Sequence, residues 1–294
     1  MRGWRGWLLL ILFIPSAEAA FDLDFTGARG AGMGFSSAAL ETDIGGIYTN
    51  PAAITSIRSQ QLMLSAMSVL PSVLGGGVYQ TAAGYGGFRS GVGMGFLWLQ
   101  LEAKGLYSET VLLACLGRRM GRLGVGASIG LMGWDTSPTF DPEGRMVEDV
   151  EGRTVISAGL GFRFDPYPNT SLALSLLNLN RPDIASEGSP SPERLPVIGR
   201  LGVAVYGPKT AWGMDLVFER SEIDVRTGFE REITGSLKVR LGFRLENLAM
   251  GVSLTGGLGY RLNESVRVDY AFVLPMINLS GGVGSHCGGI VYEF

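Results

Sequence analysis

In the stretch SLKVRLGFRL, Ser236 to Leu245, the residues Leu237, Val239, Leu241, Phe243 and Leu245 share one face of an extended chain. Lys238, Arg240 and Arg244 share the other. A period of two marks a β-strand, because successive side chains point to opposite sides. The pattern recurs. Trp212, Met214, Leu216 and Phe218 alternate with Gly213, Asp215, Val217 and Glu219. Ile223, Val225, Thr227 and Phe229 alternate with Asp224, Arg226, Gly228 and Glu230. Val266, Val268, Tyr270 and Phe272 alternate with Arg267, Asp269 and Ala271. Leu123 to Leu131 and Ile156 to Phe164 set apolar residues against Gly, Ser and Arg.

Fourteen such strands are expected, over 59–70, 77–87, 90–102, 107–118, 121–134, 153–165, 169–179, 197–207, 210–219, 222–231, 235–245, 250–261, 264–274 and 285–294. Most are about 10–13 residues long, the reach of a tilted membrane-crossing strand and about twice that of a soluble one. The longest connections, 71–76, 135–152, 180–196 and 275–284, are the first, fifth, seventh and thirteenth. All are odd, and the even ones are tight. Outer-membrane barrels have this asymmetry, with short periplasmic turns and longer outer loops. Mean hydropathy is positive, at +0.24, yet beyond the N-terminus no apolar run reaches the length of a spanning helix. A closed barrel is the other structure that satisfies every backbone group in lipid. The expected fold is therefore all-β, a transmembrane antiparallel β-barrel of about 14 strands.

The N-terminus, MRGWRGWLLLILFIPSAEAA, has a basic start (Arg2, Arg5), a short apolar core and the small-x-small site Ala17-Glu18-Ala19. It reads as a secretory signal peptide, 1–19, cut after Ala19. With no Cys at the cut, a lipoprotein is not expected. Residues 20–58 lack sustained alternation. A barrel of fourteen strands leaves a lumen that its own side chains do not fill, so 20–58 is assigned as a hatch or plug and 59–294 as the barrel. The expected location is the bacterial outer membrane.

The parity of each strand then assigns its faces. The Leu/Val/Phe face meets lipid, where a charge costs about 2–4 kcal/mol near the midplane. Asp215, Glu219, Asp224, Arg226, Glu230, Lys238, Arg240, Arg244, Arg267 and Asp269 form a polar lumen wall, able to pair across strands. Early strands differ: Leu97, Leu99 and Leu101 face inward, giving an apolar lumen sector. Gly91, Gly93 and Gly95 cluster there with Gly84, Gly86 and Gly87. Glycine weakens strands, so this is a candidate lateral exit for a hydrophobic ligand. Valine at 93 and 95 is expected to impair passage but not folding.

Little else carries chemistry. His286 is the only histidine, on the lipid face, and Ser285 points the opposite way, so no nucleophile–base pair arises. No enzyme activity, metal or cofactor is expected. Cys115 and Cys287 fall on strands that do not adjoin, so they are expected to be unpaired. A net charge of −3 gives no sign of nucleic-acid binding. The acidic loop 135–152 reads as solvated.

Three short segments carry a family likeness: GARGAGMG (Gly27 to Gly34), Glu41-Thr42-Asp43, and Ile47-Tyr48-Thr49-Asn50-Pro51-Ala52-Ala53. Together they resemble the N-terminal signature of the FadL and PorV/PorQ superfamily of outer-membrane barrels. The pattern departs only where members often carry paired Asp residues. The resemblance implies a hatch motif at Gly27, Arg29, Gly32, Gly34, Asp43, Asn50, Pro51 and Ala52. Physically, the glycines permit close or left-handed backbone, Asn50-Pro51 ends or turns a short helix, and Asp43 could cap one. The C-terminus, with Ile290, Tyr292 and Phe294 on one face, resembles the signal read by the barrel-insertion machinery. The FadL branch implies membrane passage of hydrophobic, fatty-acid-like molecules. The PorV branch implies type IX secretion with a secreted cargo protein as partner, and the short chain leans that way. A purely structural barrel is the third expectation.

Overall fold

The structure, a computed structural model, describes residues 21, 27–40, 43–69, 77–140, 146–148, 150–186, 189–247, 251–276 and 284–294. The signal-peptide segment and the loop 71–76 lie outside these. The strands are β1 (Gln61–Ser68), β2 (Val78–Arg89), β3 (Val92–Ala103), β4 (Tyr107–Met120), β5 (Leu123–Thr136), β6 (Thr139–Phe140), β7 (Met146–Glu148) and β8 (Arg153–Tyr167). They continue with β9 (Thr170–Leu177), β10 (Ile198–Tyr206), β11 (Thr210–Glu219), β12 (Glu222–Glu232), β13 (Leu237–Glu246), β14 (Gly251–Arg261), β15 (Val266–Pro275) and β16 (Ser285–Glu293). Fourteen of them close an antiparallel barrel in chain order, with β1 sealed to β16. Each expected strand is present, most with ends shifted by one or two residues. β6 and β7 form a separate small hairpin inside the long fifth connection, which the sequence pattern did not mark.

Closure pairs both edges of every wall strand, so the backbone is satisfied without water. The outward face carries large exposed hydrophobics around the ring, among them Leu64, Phe96, Leu112, Ile129, Ile156, Leu201, Leu241, Leu254 and Tyr270. A continuous apolar belt of this extent is a lipid-facing surface. Strand parity holds: Phe229 is exposed while its neighbour Glu230 is buried, and Leu241 is exposed while Arg240 is buried.

Residues 27–40 and 43–57 occupy the barrel interior. They form a one-turn helix, Ala28–Gly32, and two 3-10 segments, Ile44–Tyr48 and Pro51–Ser56. Two kinds of contact hold this segment. Against β2–β5, Ile44, Ile47, Ile54 and Ile57 pack in one apolar cluster with Leu97, Leu99, Val111 and Cys115. Against β9–β11, Met33, Ala38, Ala39 and Leu40 pack with Ala173, Ala204 and Ala211. Elsewhere the contact is ionic. Gly34, at φ 64°, passes so close to the wall that a Cβ would sit 2.5 Å from the Thr227 carbonyl oxygen, a position that suits glycine twice over.

Candidate functional site: the plug, its ionic latch and the outer cavity

The polar wall is not a lining around empty lumen. It grips the inner segment. Glu230 on β12 accepts from Arg240 Nε at 2.7 Å, Arg29 Nε at 3.2 Å and Lys238 Nζ at 3.2 Å. Arg240 also donates to Asp269 at 2.7 Å. Asp269 accepts from Arg267 at 2.7 Å, and Arg267 reaches Asp43 at 2.6 Å. One chain of charges thus runs from Arg29 through the wall to Asp43, so two motif residues are tied into a network on β12, β13 and β15. Arg240 is fully enclosed, with a side-chain exposure of 0%. Its parity placed it correctly. The network's two members in the segment, Arg29 and Asp43, come from a stretch with no periodicity to read.

Asp43 corrects one expectation. It sits at the N-cap of the first 3-10 segment, but its side chain makes no cap hydrogen bond. The carboxylate is spent on Arg267 instead, because a charged guanidinium outcompetes a single backbone N–H. Asn50 opens the second 3-10 segment, with Pro51 behind it. Its Oδ1 accepts from Ala52 N at 2.9 Å, and its Nδ2 donates to the carbonyls of Ala38 (3.0 Å) and Phe162 (3.2 Å). One side chain therefore caps the segment, ties its two halves together and fixes it to β8. Asn50→Ala is expected to lower barrel stability by about 1–3 kcal/mol, read as a lower temperature at which the compact band disappears on a heat-modifiability gel.

Two further anchors share this logic. Asp215 on β11 accepts from the backbone N–H groups of Ser37 (2.7 Å) and Ala38 (2.8 Å). Arg163 on β8 donates to the Ala39 carbonyl at 2.7 Å and to Ser171 at 2.6 Å, and it pairs with Asp165, which Arg119 also contacts. Neither Arg163 nor Arg119 was singled out from sequence. Arg163 was legible, lying on the inward parity of its strand. Asp224 binds Arg226 (3.0 Å) and Arg244 (3.1 Å) within the outer part of the wall.

Gly32 touches Gly257 across the segment–wall boundary, where a Cβ would lie 3.2 Å from the Gly257 Cα. Gly93 and Gly95 have a similar reason. A Cβ on Gly93 would lie 2.7 Å from Ile54, and one on Gly95 would lie 2.9 Å from Ile44. Gly91 is in the β2–β3 turn at φ 83°. The β2 and β3 strands pair without a break from Val78–Ala103 to Arg89–Val92, so the glycine cluster is where plug isoleucines seat on a continuous wall. Ile290, Tyr292 and Phe294 lie exposed on one outward face near the chain end. His286 faces outward and hydrogen-bonds Tyr270 at 2.8 Å. Cys115 and Cys287 are both buried and free.

On the side away from the chain end, a narrow cavity of about 40 Å³ lies between the plug and the outer wall. Phe21, Val111, Leu113, Met132 and Leu177 line one side; Asn178, Arg200, Glu219 and Arg226 line the other. It adjoins a wider, charged vestibule of about 290 Å³ bounded by Glu222, Asp224, Arg244 and Glu246, with Val217, Glu219 and Arg226 common to both. The connection after β9, expected only as a long outer loop, folds inward here. Its Ile184 and Leu195 are buried in the cluster that holds Met132 and Phe21. Trp134 Nε1 donates to the Ile184 carbonyl at 2.8 Å, and Arg153 donates to the Ala185 carbonyl at 2.6 Å. In this loop the N–H groups of Ala185 and Glu193, with Arg153 and Arg194 nearby, hold the Asp183 carboxyl below the usual carboxylate range. A loop cannot announce by periodicity that it turns inward, so this cover was not legible.

No family model matches the sequence, and no curated protein matches it either. Solved structures do match. The toluene transporter TbuX of Ralstonia pickettii aligns over 94% of this chain and 100% of its own, with TM-score 0.61 and 12% identity. A FadL homologue of Pseudomonas aeruginosa aligns over 91% and 98%, with TM-score 0.67 and 11% identity. The fold is that of FadL. The toluene transporter TodX of Pseudomonas putida has it as well, at TM-score 0.63 and 13% identity over 90% of this chain and 96% of its own. At such identities the FadL-type likeness is one of architecture: a closed wall of fourteen strands. What travels through this one must be argued from its own residues.

Proposed function

We propose that this FadL-type barrel sits in a bacterial outer membrane and passes small hydrophobic compounds through its lumen, with residues 27–58 as the hatch. The observation that carries the reading is the cavity. It lies directly outside the plug, has an apolar side, and is reached through a charged vestibule. A volume of about 40 Å³ has room for a few waters at most, so passage requires the hatch or the inward-folded loop to move. The hatch is suited to moving. Its ties to the wall are hydrogen bonds, ion pairs and isoleucine packing, and neither cysteine is in a disulfide. The likeness to the toluene transporters TbuX and TodX favours small apolar cargo over a secreted protein. On this reading Ile290, Tyr292 and Phe294 present the last strand to the insertion machinery.

The test is uptake of radiolabelled toluene and oleate by a Gram-negative host whose own FadL-type barrel is deleted. Expression of the wild-type chain should raise the initial uptake rate of at least one of them several-fold. If a correctly inserted barrel raises neither, the transport reading is wrong.

A further inference from the structure

We propose that the outward face of β2–β5 carries a binding site for one anionic glycerophospholipid, with its phosphate held by Arg89 and Arg118. Both arginines are exposed, and both sit directly opposite Val92, one on each neighbouring strand. Val92 is itself outward and 48% exposed. Residues opposite each other in antiparallel strands project from the same face, so both guanidinium groups leave the wall on the lipid side. Two strand spacings, roughly 10 Å, separate their Cα atoms, a span that two arginine side chains can close on one phosphate. Among the described residues, neither side chain has a protein hydrogen-bond or ion-pair partner.

The charges around them sharpen the case. The outward positions of β2–β5 hold no acid until Glu102 and Asp135, at the opposite end of the wall. Arg89 and Arg118 flank the short even-numbered turns, at the end where the chain terminates. That end is the periplasmic one when long loops face out. Unpaired arginines on an apolar face reach for the interface rather than lie in hydrocarbon.

The second half of the site is apolar. On the same strands an open groove of about 680 Å³ is formed by Tyr85, Phe96, Trp98, Leu112 and Ile129 around the small residues Ala83 and Ala114. Ala114 lies four residues from Arg118 along β4, roughly 13 Å at strand rise. That is the depth at which an acyl chain runs when its phosphate rests at the interface. Met94 and Leu116 join the two halves. Cationic clamp and groove therefore match one amphiphile, a phosphodiester with acyl chains, in the leaflet at the turn end. This site does not depend on what the lumen transports.

Native mass spectrometry of the detergent-solubilised full-length barrel tests it, with phosphatidylglycerol and phosphatidylcholine added separately. One phosphatidylglycerol should be retained per barrel, roughly thirtyfold more tightly than phosphatidylcholine for two interfacial arginines. Arg89→Gln with Arg118→Gln should abolish the preference. Ala114→Leu, which fills the groove and leaves both arginines, should weaken phosphatidylglycerol without changing the folded band. Soluble glycerol phosphate should not compete. Equal retention of the two lipids by the wild type, full retention by either variant, or displacement by glycerol phosphate at equal concentration would each overturn the proposal.

Discussion

Arg240→Met will lower barrel stability by about 3–5 kcal/mol, the cost of breaking a buried ion pair by removing one partner. The magnitude follows from what the guanidinium leaves behind. Glu230 and Asp269 are 4% and 3% exposed, and Arg240 is the group they share. Each keeps another cation, Arg29 and Lys238 for Glu230 and Arg267 for Asp269. Those residual partners place the effect toward the lower end of the range. The measurement is the temperature at which the compact form is lost on a heat-modifiability gel. The decisive comparison neutralises the whole network at once, with Arg29→Met, Asp43→Asn, Glu230→Gln, Lys238→Met, Arg240→Met, Arg267→Met and Asp269→Asn. A buried network replaced whole by neutral groups of similar size is often no less stable than the original, so this neutral variant should recover most of the loss. An Arg240→Met barrel as stable as wild type would mean that the network carries no energy. A neutral variant worse than Arg240→Met would mean that the charges themselves, and not their pairing, hold the wall.

Such a network adds little net stability but much specificity. Burial of an isoleucine side chain is worth about 1.5–3 kcal/mol, and four of them sit against β2–β5. They supply the adhesion of the plug, whereas the ion pairs set where it rests, because a one-residue slip would leave Arg29 and Asp43 buried without counter-charges. The same split explains which parts were legible. Alternation at Trp212–Glu219, Ile223–Glu230 and Leu237–Leu245 exposed both the strand count and the inward register, since a period of two encodes a face directly. It also placed Leu97 and Leu99 inward, where they are almost fully buried. What alternation cannot encode is a partner from an irregular segment. Hence the Asp43–Arg267 pair was missed, and a cap was expected in its place. The inward fold of Ile184 and Leu195 was missed for the same reason, as was Phe21 beside the cavity.

Gly161→Val tests the plug from its other side and should open the lumen without dismantling the wall. A Cβ on Gly161 would lie 2.7 Å from Ala52 N and closer still to Asn50 Oδ1. Behind the Asn50 amide, which is the nearest obstacle, stands the Ala52 backbone that this amide caps, and the same amide is fastened to the Phe162 carbonyl. The crowding cannot be relieved by turning a flexible side chain, so the segment must lift. Overpacking of this kind costs about 1–3 kcal/mol, enough to displace the 3-10 segment Pro51–Ser56 but small against the fourteen strand pairings that close the wall. The expected result is a barrel that still shows heat-modifiable mobility yet conducts ions several-fold better in planar bilayers than the wild type. Gly256→Val is the control. It lies on the outward face of β14 with nothing within 4 Å of an added Cβ, and it should leave conductance unchanged. If Gly161→Val stays as tight as wild type, the plug can yield locally without unseating. The latch formed by Glu230, Arg240 and Arg267 would then be sufficient to close the lumen alone, and the gate would have to be sought at that end.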